Sequence, residues 1–534
     1  MQKVWKIKGK FEKDIIDSLL KIRDAENKDY FLNPPNPALA FEHIKPELLE
    51  AVSLIKLHIS QGSFIFVHGD YDVDGICATA ILWKTIYFDL QYKNCLPFIP
   101  DRFEDGYGLS KESIDKIKSK ADKGLIVTVD CGVTAQKECK YAKTLGFDVT
   151  VTDHHQKNGE VLECSKLVWT DKLVGSSIAL ALSSLLIGEV KDEYLSLAAL
   201  ATVSDIQPLV GFNRSVVKYG LEILNARAPL GIKVLMEASG IKDKVLSTYE
   251  LGWILSPRLN ASGRLESAMD SLKLLCTKNE SDAMALSEKL GRVNYERQQK
   301  TALMFELAKS SYLENKKIII SSSRDYHEGV IGLVAGKLSQ EFYKPSVLIS
   351  VGDEVSKGSA RSVEGVNIIE LLRRLDFYES VGGHPQAAGF SIKTADLEKL
   401  IFSLEDLAEE FIDEVYLSPV LNIDLEIPSH LLSLETALKI RQLEPFGFGN
   451  HEPLFMSSNL KILNTGVVGR NSDHLKLRLG GNSGGVYDAI FFGGGNYASS
   501  FSSDSFCDVA FSLRENVFNG ISRVSLNVKD IKHT

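Results

Sequence analysis

The segment VHGDYDVDG (67–75) places His68, Asp70, Asp72 and Asp74 at alternate positions ahead of a glycine. Residues two apart on a strand share one face, so these side chains can converge where the strand runs out. Three carboxylates within five residues repel one another in a low-dielectric cleft unless a cation neutralises them, and a divalent metal ion is the natural occupant. Asp-x-Asp-x-Asp-Gly also opens an EF-hand calcium loop, which requires Glu at its twelfth position. Counted from Asp70 that position is Ile81, in an apolar stretch, so the calcium-loop reading fails. Asp130 closes LIVTVD (125–130), Asp153, His154 and His155 close FDVTVTDHH (147–155), and Asp205 follows the apolar run LAALATVS. One Asp at a strand end is commonly a turn former or a helix cap. Several carboxylate and imidazole clusters, all at element ends, point instead to metal binding. Mixed Asp and His ligation suits Mn2+ or Mg2+ better than structural zinc, which favours Cys.

The elements that must position these residues read as a parallel, doubly wound sheet. FIFVHGD (64–70), LIVTVD and FDVTVTDHH are apolar strand runs, with helical stretches at 75–88 and near 135–145, and further helices fit 176–188 and 192–204. Ligands of such sheets gather at the carboxyl ends of the strands, so three strand ends deliver carboxylates and imidazoles to one crevice. A long helical pattern over 281–314 connects this region to a second α/β unit. That unit has strand KIIIS (317–321), a helix over 330–342, strand PSVLIS (345–350), the segment SKGSARS and a helix near 394–413. After Pro419 short strands alternate with Gly/Ser/Asn turns, as in a small β barrel or sandwich. Residues 1–50 read as a charged leader, with a Pro-rich extended segment at 31–41 that could wrap a domain edge. The expected division is therefore a leader (1–50), a first α/β domain (51–270), a connecting helix (271–314), a second α/β domain (315–415) and a β-rich domain (416–534).

The 534 residues, 44% hydrophobic and 25% charged, exclude a single small module and global disorder. No stretch approaches a membrane span, and the amino terminus lacks the apolar core of a secretory signal. Seven scattered cysteines without a CxxC pair read as reduced thiols of a cytoplasmic chain. A balance of 61 basic against 70 acidic residues argues against coating nucleic acid by bulk charge, while leaving room for a local basic groove.

HGDYDVDG, VTVDCG, VTDHH and VSDIQP, in this order, resemble the four motifs of the DHH phosphoesterase superfamily. VGGHPQAAGFS (381–391) resembles the glycine-rich signature of its associated substrate-binding domain. IPDRFEDGYGLS (99–110), SPRLNASGRL (256–265), HEGVIGLVAGKL (327–338) and KGSARS (357–362) are similar to the RecJ branch. The resemblance implies a DHH-type parallel-sheet domain, a DHH-associated α/β domain joined by a long helix, and a C-terminal OB-like domain. It implies a two-metal 5′→3′ exonuclease acting on single-stranded DNA in repair and recombination, using Mn2+ or Mg2+. By motif, His68, Asp72 and Asp130 would hold one ion, and Asp74, Asp130, His154 and Asp205 the other, with Asp130 bridging. Asp70 would ligate directly or support a ligand. His155 would face the scissile phosphate, and Asp153 would orient a ligand histidine from behind.

Gly382, Gly383 and His384 would approach an anion, and Ser359, Arg361 and Arg102 would clamp a terminal 5′ phosphate. Arg258, expected in a loop between Pro257 and Asn260, would grip the backbone; Phe446, Phe448, Phe491 and Phe492 are available as stacking platforms. A monomer working with a single-strand-binding protein and a RecQ-type helicase is implied by the resemblance alone. The alternatives are a nanoRNA or cyclic-dinucleotide phosphodiesterase of the same superfamily, a family II inorganic pyrophosphatase, and a non-catalytic DNA-binding scaffold.

Overall fold

The computed structural model describes residues 3–25, 27–37, 41–102, 104–159, 161–482 and 484–534, with the backbone alone at 518. Residues 38–40 of the Pro-rich segment and Phe103 of the IPDRFEDGYGLS motif lie outside the described residues. The chain divides into two compact units. The larger comprises Trp5–Gly263, Ala268–Ser287 and Asn422–Thr534; the other comprises Met1–Val4, Arg264–Ser267 and Glu288–Leu421. The boundary between Ser287 and Glu288 falls inside one 30-residue helix, Glu280–Lys309, the expected connector.

Strands are numbered along the chain, from β1 (Val4–Lys10). In the larger unit β2 (Phe64–His68), β3 (Cys95–Phe98), β4 (Gly124–Val129), β5 (Phe147–Asp153) and β6 (Lys166–Trp169) form a sheet in the order β3-β2-β4-β5-β6. Every pairing in it is parallel. The chain leaves β2 toward β3 and returns on the other side as β4, so the strand order reverses between β2 and β4. That switch point is where open parallel sheets bind ligands. β4 is buried along its whole length, which is why it reads as an unbroken apolar run rather than an alternating one.

The second unit carries β7 (Ile319–Ser323), β8 (Ser346–Ser350), β9 (Val355–Arg361), β10 (Ser380–His384) and β11 (Ala387–Lys393), in the order β10-β11-β9-β8-β7. Only β7 and β8 are parallel. Alternate residues of β8 serve opposite layers. Leu348 packs with the helix Ile331–Phe342, and Val347 and Ile349 pack with the helix Leu397–Phe411. SKGSARS, which carried no assignment in the sequence, is strand β9.

The C-terminal strands are β12 (Val420–Glu426), β13 (Phe455–Val468), β14 (His474–Gly480), β15 (Val486–Phe491), β16 (Phe506–Phe518) and β17 (Ile521–His533). Five of them run β13-β14-β15-β17-β16, and a further β13–β16 pairing closes the barrel. β12 and β1 extend the sheet outward from β13. The segment expected as a leader builds into this domain. Ile15, Ile16, Leu19, Leu20 and Phe31 are buried in one core with Leu425, Phe455, Phe511 and Leu526. The amphipathic helix Ile15–Ile22, capped by Asp14, supplies the first four of those residues. Burial of each such side chain contributes about 1.5–3 kcal/mol.

One buried charge stands apart from the site. Arg214, only 1% exposed on the helix Gly211–Arg227, donates to the carbonyls of Phe31, Leu443, Glu444 and Pro445 and lies 4.3 Å over the Phe31 ring. Burial lowers its pKa to about 10, leaving it charged at neutral pH. A guanidinium so placed is satisfied by carbonyl dipoles rather than by a counter-ion.

Candidate active site

The crevice at the switch point is built from four element ends. Past β2 the chain turns at Gly69, and Asp72 caps the helix Val73–Lys84, its Oδ1 accepting from the Asp74 and Gly75 amides at 2.9 and 3.1 Å. Gly75 lets this turn close, because a Cβ there would lie 2.5 Å from the Asp70 nitrogen. Asp74, in the first helical turn, is held by a second helix: Oδ2 accepts from the Gly175 amide at 2.7 Å and Oδ1 from Ser176 at 2.8 Å, at the N-terminus of Gly175–Ile187. Asp130, just beyond β4, adopts φ of +63° and packs against Gly175 so closely that a Cβ there would lie 2.4 Å from its own Cβ. Asp205 caps the C-terminal end of the helix Asp192–Ser204.

Among the described residues, three groups each bring their donor atoms within 4.8 Å of one another: Asp70, Asp72 and Asp130; Asp74, His154 and Asp205; Asp130, His154 and His155. His154 Nε2 is 3.0 Å from Asp130 Oδ1, 3.7 Å from Asp74 Oδ2 and 3.8 Å from Asp205 Oδ2. The structure thus brings Asp74, His154 and Asp205 together, as the second expected ligand set requires. In the first set Asp72 and Asp130 meet Asp70, while His68 stands outside these groups, fully buried, stacked on Phe98 with Nδ1 3.8 Å from Cys131 Sγ.

The electrostatics call for a cation. Burial first, then repulsion from Asp72, raises the Asp70 pKa well above the carboxylate range, and Asp130 is raised in the same way by burial and by Asp74, Asp72 and Asp70. Asp72 is raised by burial and by Asp74, and Asp205 is pushed up to about 7 by burial and by Asp74. Burial lowers His154 and brings His68 down to about 4, keeping both imidazoles neutral, the form that ligates metal. Among the described residues His68 Nε2 is buried without a hydrogen-bond partner, and Asp130 Oδ1 has the His154 ring 3.0 Å away but misaligned for a hydrogen bond. Hard carboxylate oxygens, neutral imidazoles and these unsatisfied buried atoms fit a divalent cation of the Mn2+ or Mg2+ class.

Asp153 corrects an expectation. Its Oδ1 takes a 2.7 Å hydrogen bond from His155 Nδ1, so it orients His155 rather than the ligand candidate His154. Its remaining bonds come from the backbone amides of Val133, His154 and His155. Burial would depress the His155 pKa, but the hydrogen bond and charge of Asp153, with Asp205 and Asp70, outweigh it and raise the value to about 9. His155 Nε2 meets the Tyr107 hydroxyl at 3.3 Å, a partner that sequence reasoning missed.

SPRLNASGRL is also corrected: it is not a loop but the helix Ser256–Leu265, continuous with the wide π-helical turns of Glu250–Leu255. The widening falls just ahead of Pro257, whose ring would clash with the carbonyl four residues back in a regular helix. Arg258 is half-buried and donates to the Ile254 carbonyl at 2.6 Å. Asn260, given no role in the sequence, accepts from the Val73 amide at 3.0 Å, and Gly263 leaves room for the Tyr71 carbonyl. This helix therefore buttresses the Asp70–Asp74 turn. The Arg102 guanidinium lies 5.3 Å from the Tyr71 ring, and its charge reaches Asp70.

The second unit carries a positive counterpart. Register aligns His384, Ala387 and Arg361 across β10, β11 and β9, and Gly382, Gly389 and Ser359 two residues away, so these side chains share one sheet face. Arg361 Nη1 donates to Ser359 Oγ at 3.0 Å. Gly332, in the first turn of Ile331–Phe342, approaches both: a Cβ there would lie 2.9 Å from each. No side chain caps that helix. Gly382 faces open space, Gly383 has φ of +144°, and His384 is exposed. Of the candidate platforms on the β domain, Phe446 and Phe491 pack against its core, whereas Phe448 and Phe492 are exposed.

Three family profiles match the chain: the DHH family N-terminal domain over residues 64–202, the DHHA1 domain over 315–412 and the RecJ OB domain over 423–530. The single-stranded-DNA-specific exonuclease RecJ of Bacillus subtilis is 32% identical over 497 residues, spanning 90% of this chain and 63% of that protein. The chain thus covers less than two thirds of that relative. The enzyme of the same name from Salmonella typhimurium is 30% identical over 529 residues, spanning 90% of this chain and 89% of its own length. The crystal structure of RecJ in complex with Mn2+ from Thermus thermophilus superposes with a TM-score of 0.85 at 29% identity, covering 99% of this chain and 80% of that one. Sequence, domain order and fold agree over nearly the whole chain, and the protein belongs to the RecJ family of the DHH superfamily.

Proposed function

We propose that the protein is a metal-dependent 5′→3′ exonuclease that hydrolyses single-stranded DNA to 5′-mononucleotides, in the cytoplasm, during repair and recombination. The carrying observation is the convergence of five carboxylates, Asp70, Asp72, Asp74, Asp130 and Asp205, around His154, with Asp70, Asp74 and Asp130 buried and more acid present than the neighbouring His155 and Arg102 can balance. His68, Asp72 and Asp130 would hold one divalent ion and Asp74, Asp130, His154 and Asp205 the other; the meeting of Asp70 with Asp72 and Asp130 favours Asp70 as a further ligand. Such ions, when bound, supply a hydroxide at neutral pH and polarise the phosphodiester. His155, aimed by Asp153 and held cationic, neutralises charge developing on the scissile phosphate. Arg258 grips the strand. Ser359 and Arg361 recognise its terminal 5′ phosphate, with the Gly382–His384 turn admitting the anion; by resemblance, Arg102 is a further phosphate-binding residue. By its family, the chain acts as a monomer, beside a single-strand-binding protein and a RecQ-type helicase.

End-labelled degradation of long single-stranded DNA in Mn2+ tests the reading, with duplex DNA, a 3′-labelled strand and a dinucleotide alongside. Mononucleotides released from the 5′ end of long strands, and abolished by EDTA, are the expected result. Cleavage of the dinucleotide alone would replace it with the nanoRNA-type phosphodiesterase.

A further inference from the structure

Tyr249 and Trp253 are two large aromatic side chains that the protein leaves in water, 60% and 74% exposed. They stand one turn apart on the helical segment that leads into Ser256–Leu265, with ring centroids 6.5 Å apart and planes inclined by 26°. Their backbone is pinned although the rings are open. Thr248 Oγ1 donates to the Phe446 carbonyl at 2.5 Å, and the Ser247 amide and hydroxyl both donate to Glu250 Oε2. The same segment is tied to the crevice at two points. A Cβ on Gly252 would lie 3.4 Å from Val203, two residues before Asp205, and Asn260 holds the Val73 amide of the metal-site turn. Seven residues separate Trp253 from Asn260, about 10 Å along a helix. Arg258 lies between them.

We propose that Tyr249 and Trp253 form a stacking platform for bases of the single strand whose phosphodiester occupies the metal crevice. Open aromatic faces are the chemistry that binds single-stranded nucleic acid without sequence preference, because every base has a π face. A rigid platform in register with the reacting phosphate holds the strand by its bases while the crevice holds its backbone. This inference rests on reading the crevice as a nuclease centre.

The test uses the full chain with Tyr249→Ala, Trp253→Ala and Trp253→Phe, on oligothymidylates from the dinucleotide to about twelve nucleotides. Trp253 is exposed while Trp5, Trp83 and Trp169 are half-buried, so strand binding in EDTA should quench emission in the parent and not in Trp253→Ala. In Mn2+ the ratio of the Trp253→Ala KM to the parent's should rise with strand length, to roughly tenfold above its dinucleotide value, with kcat unmoved and with Trp253→Phe recovering most of the loss. Quenching that survives in Trp253→Ala overturns the proposal. So does a KM ratio that is flat across lengths, as a surface for docking another protein would give. A parent that degrades no strand but loses its quenching in Trp253→Ala keeps the platform and removes the nuclease reading.

Discussion

The crevice of the larger unit and the arginine face of the second unit are made with the same parts and carry opposite charge. In each, a helix N-terminus meets a charged side chain at a strand end, and a glycine in the first turn permits the approach: Gly175 against Asp130, Gly332 against Arg361. In the crevice the amides of that helix are spent on the protein's own Asp74 carboxylate, and the surplus of acid demands a cation. Beside Arg361 no side chain caps the helix, so dipole and guanidinium both favour an external anion. A shared supersecondary arrangement thus favours a cation in one place and an anion in the other, according to which charge the chain itself supplies.

The sharpest way to break the contrast is Asp130→Ala. Loss of a carboxylate common to two of the three donor groups should lower turnover on the order of a thousandfold or more in single-turnover degradation assays. Arg361→Ala should instead raise KM for 5′-phosphorylated strands by roughly 10- to 100-fold, as loss of a charge-assisted hydrogen bond does, and narrow the preference over 5′-hydroxyl ends. Thermal melting separates the two charges without any turnover. Mn2+ at about 100 times its dissociation constant should stabilise the parent by about 2.7 kcal/mol, and Asp130→Ala should forfeit most of that. The smallest effects sharpen the comparison of the two glycines. Gly175→Ala drives a methyl into the Asp130 Cβ and backbone and should cost roughly 1–3 kcal/mol in denaturant titrations. Gly332→Ala meets only the ends of the Arg361 and Ser359 side chains, which can move, and gains helix propensity, so it should be close to neutral.

What was legible in the sequence was local. Apolar strand runs ending in Asp130 or Asp153 declared both the parallel sheet and its ligand-bearing edge, and the second α/β unit followed from the same alternation. Contacts decided by distant partners were not legible. Nothing in residues 1–50 shows that Ile15 and Leu19 face a barrel core built some 400 residues later, and barrel closure through β13 and β16 depends on register across that domain. Pro257 suggested a loop because a proline usually interrupts a helix; wide turns ahead of it accommodate the ring instead. With two histidines in succession, sequence alone could not say which one Asp153 holds, since neighbouring side chains diverge and the choice rests on the fold of the β5 turn.

Arg214 carries a consequence for how the chain is made. Its guanidinium is planted in a helix of the larger unit, yet one of its carbonyl partners lies at Phe31 and the others at Leu443, Glu444 and Pro445. During synthesis the helix leaves the ribosome with the first partner already present and the rest more than 200 residues away. Until they emerge, the cation must stay in water, because burying it unpaired would cost several kcal/mol. Sealing of the core around this helix therefore waits on the start of the barrel domain, and a nascent chain cut short before Leu443 leaves the guanidinium without three of its four carbonyl partners.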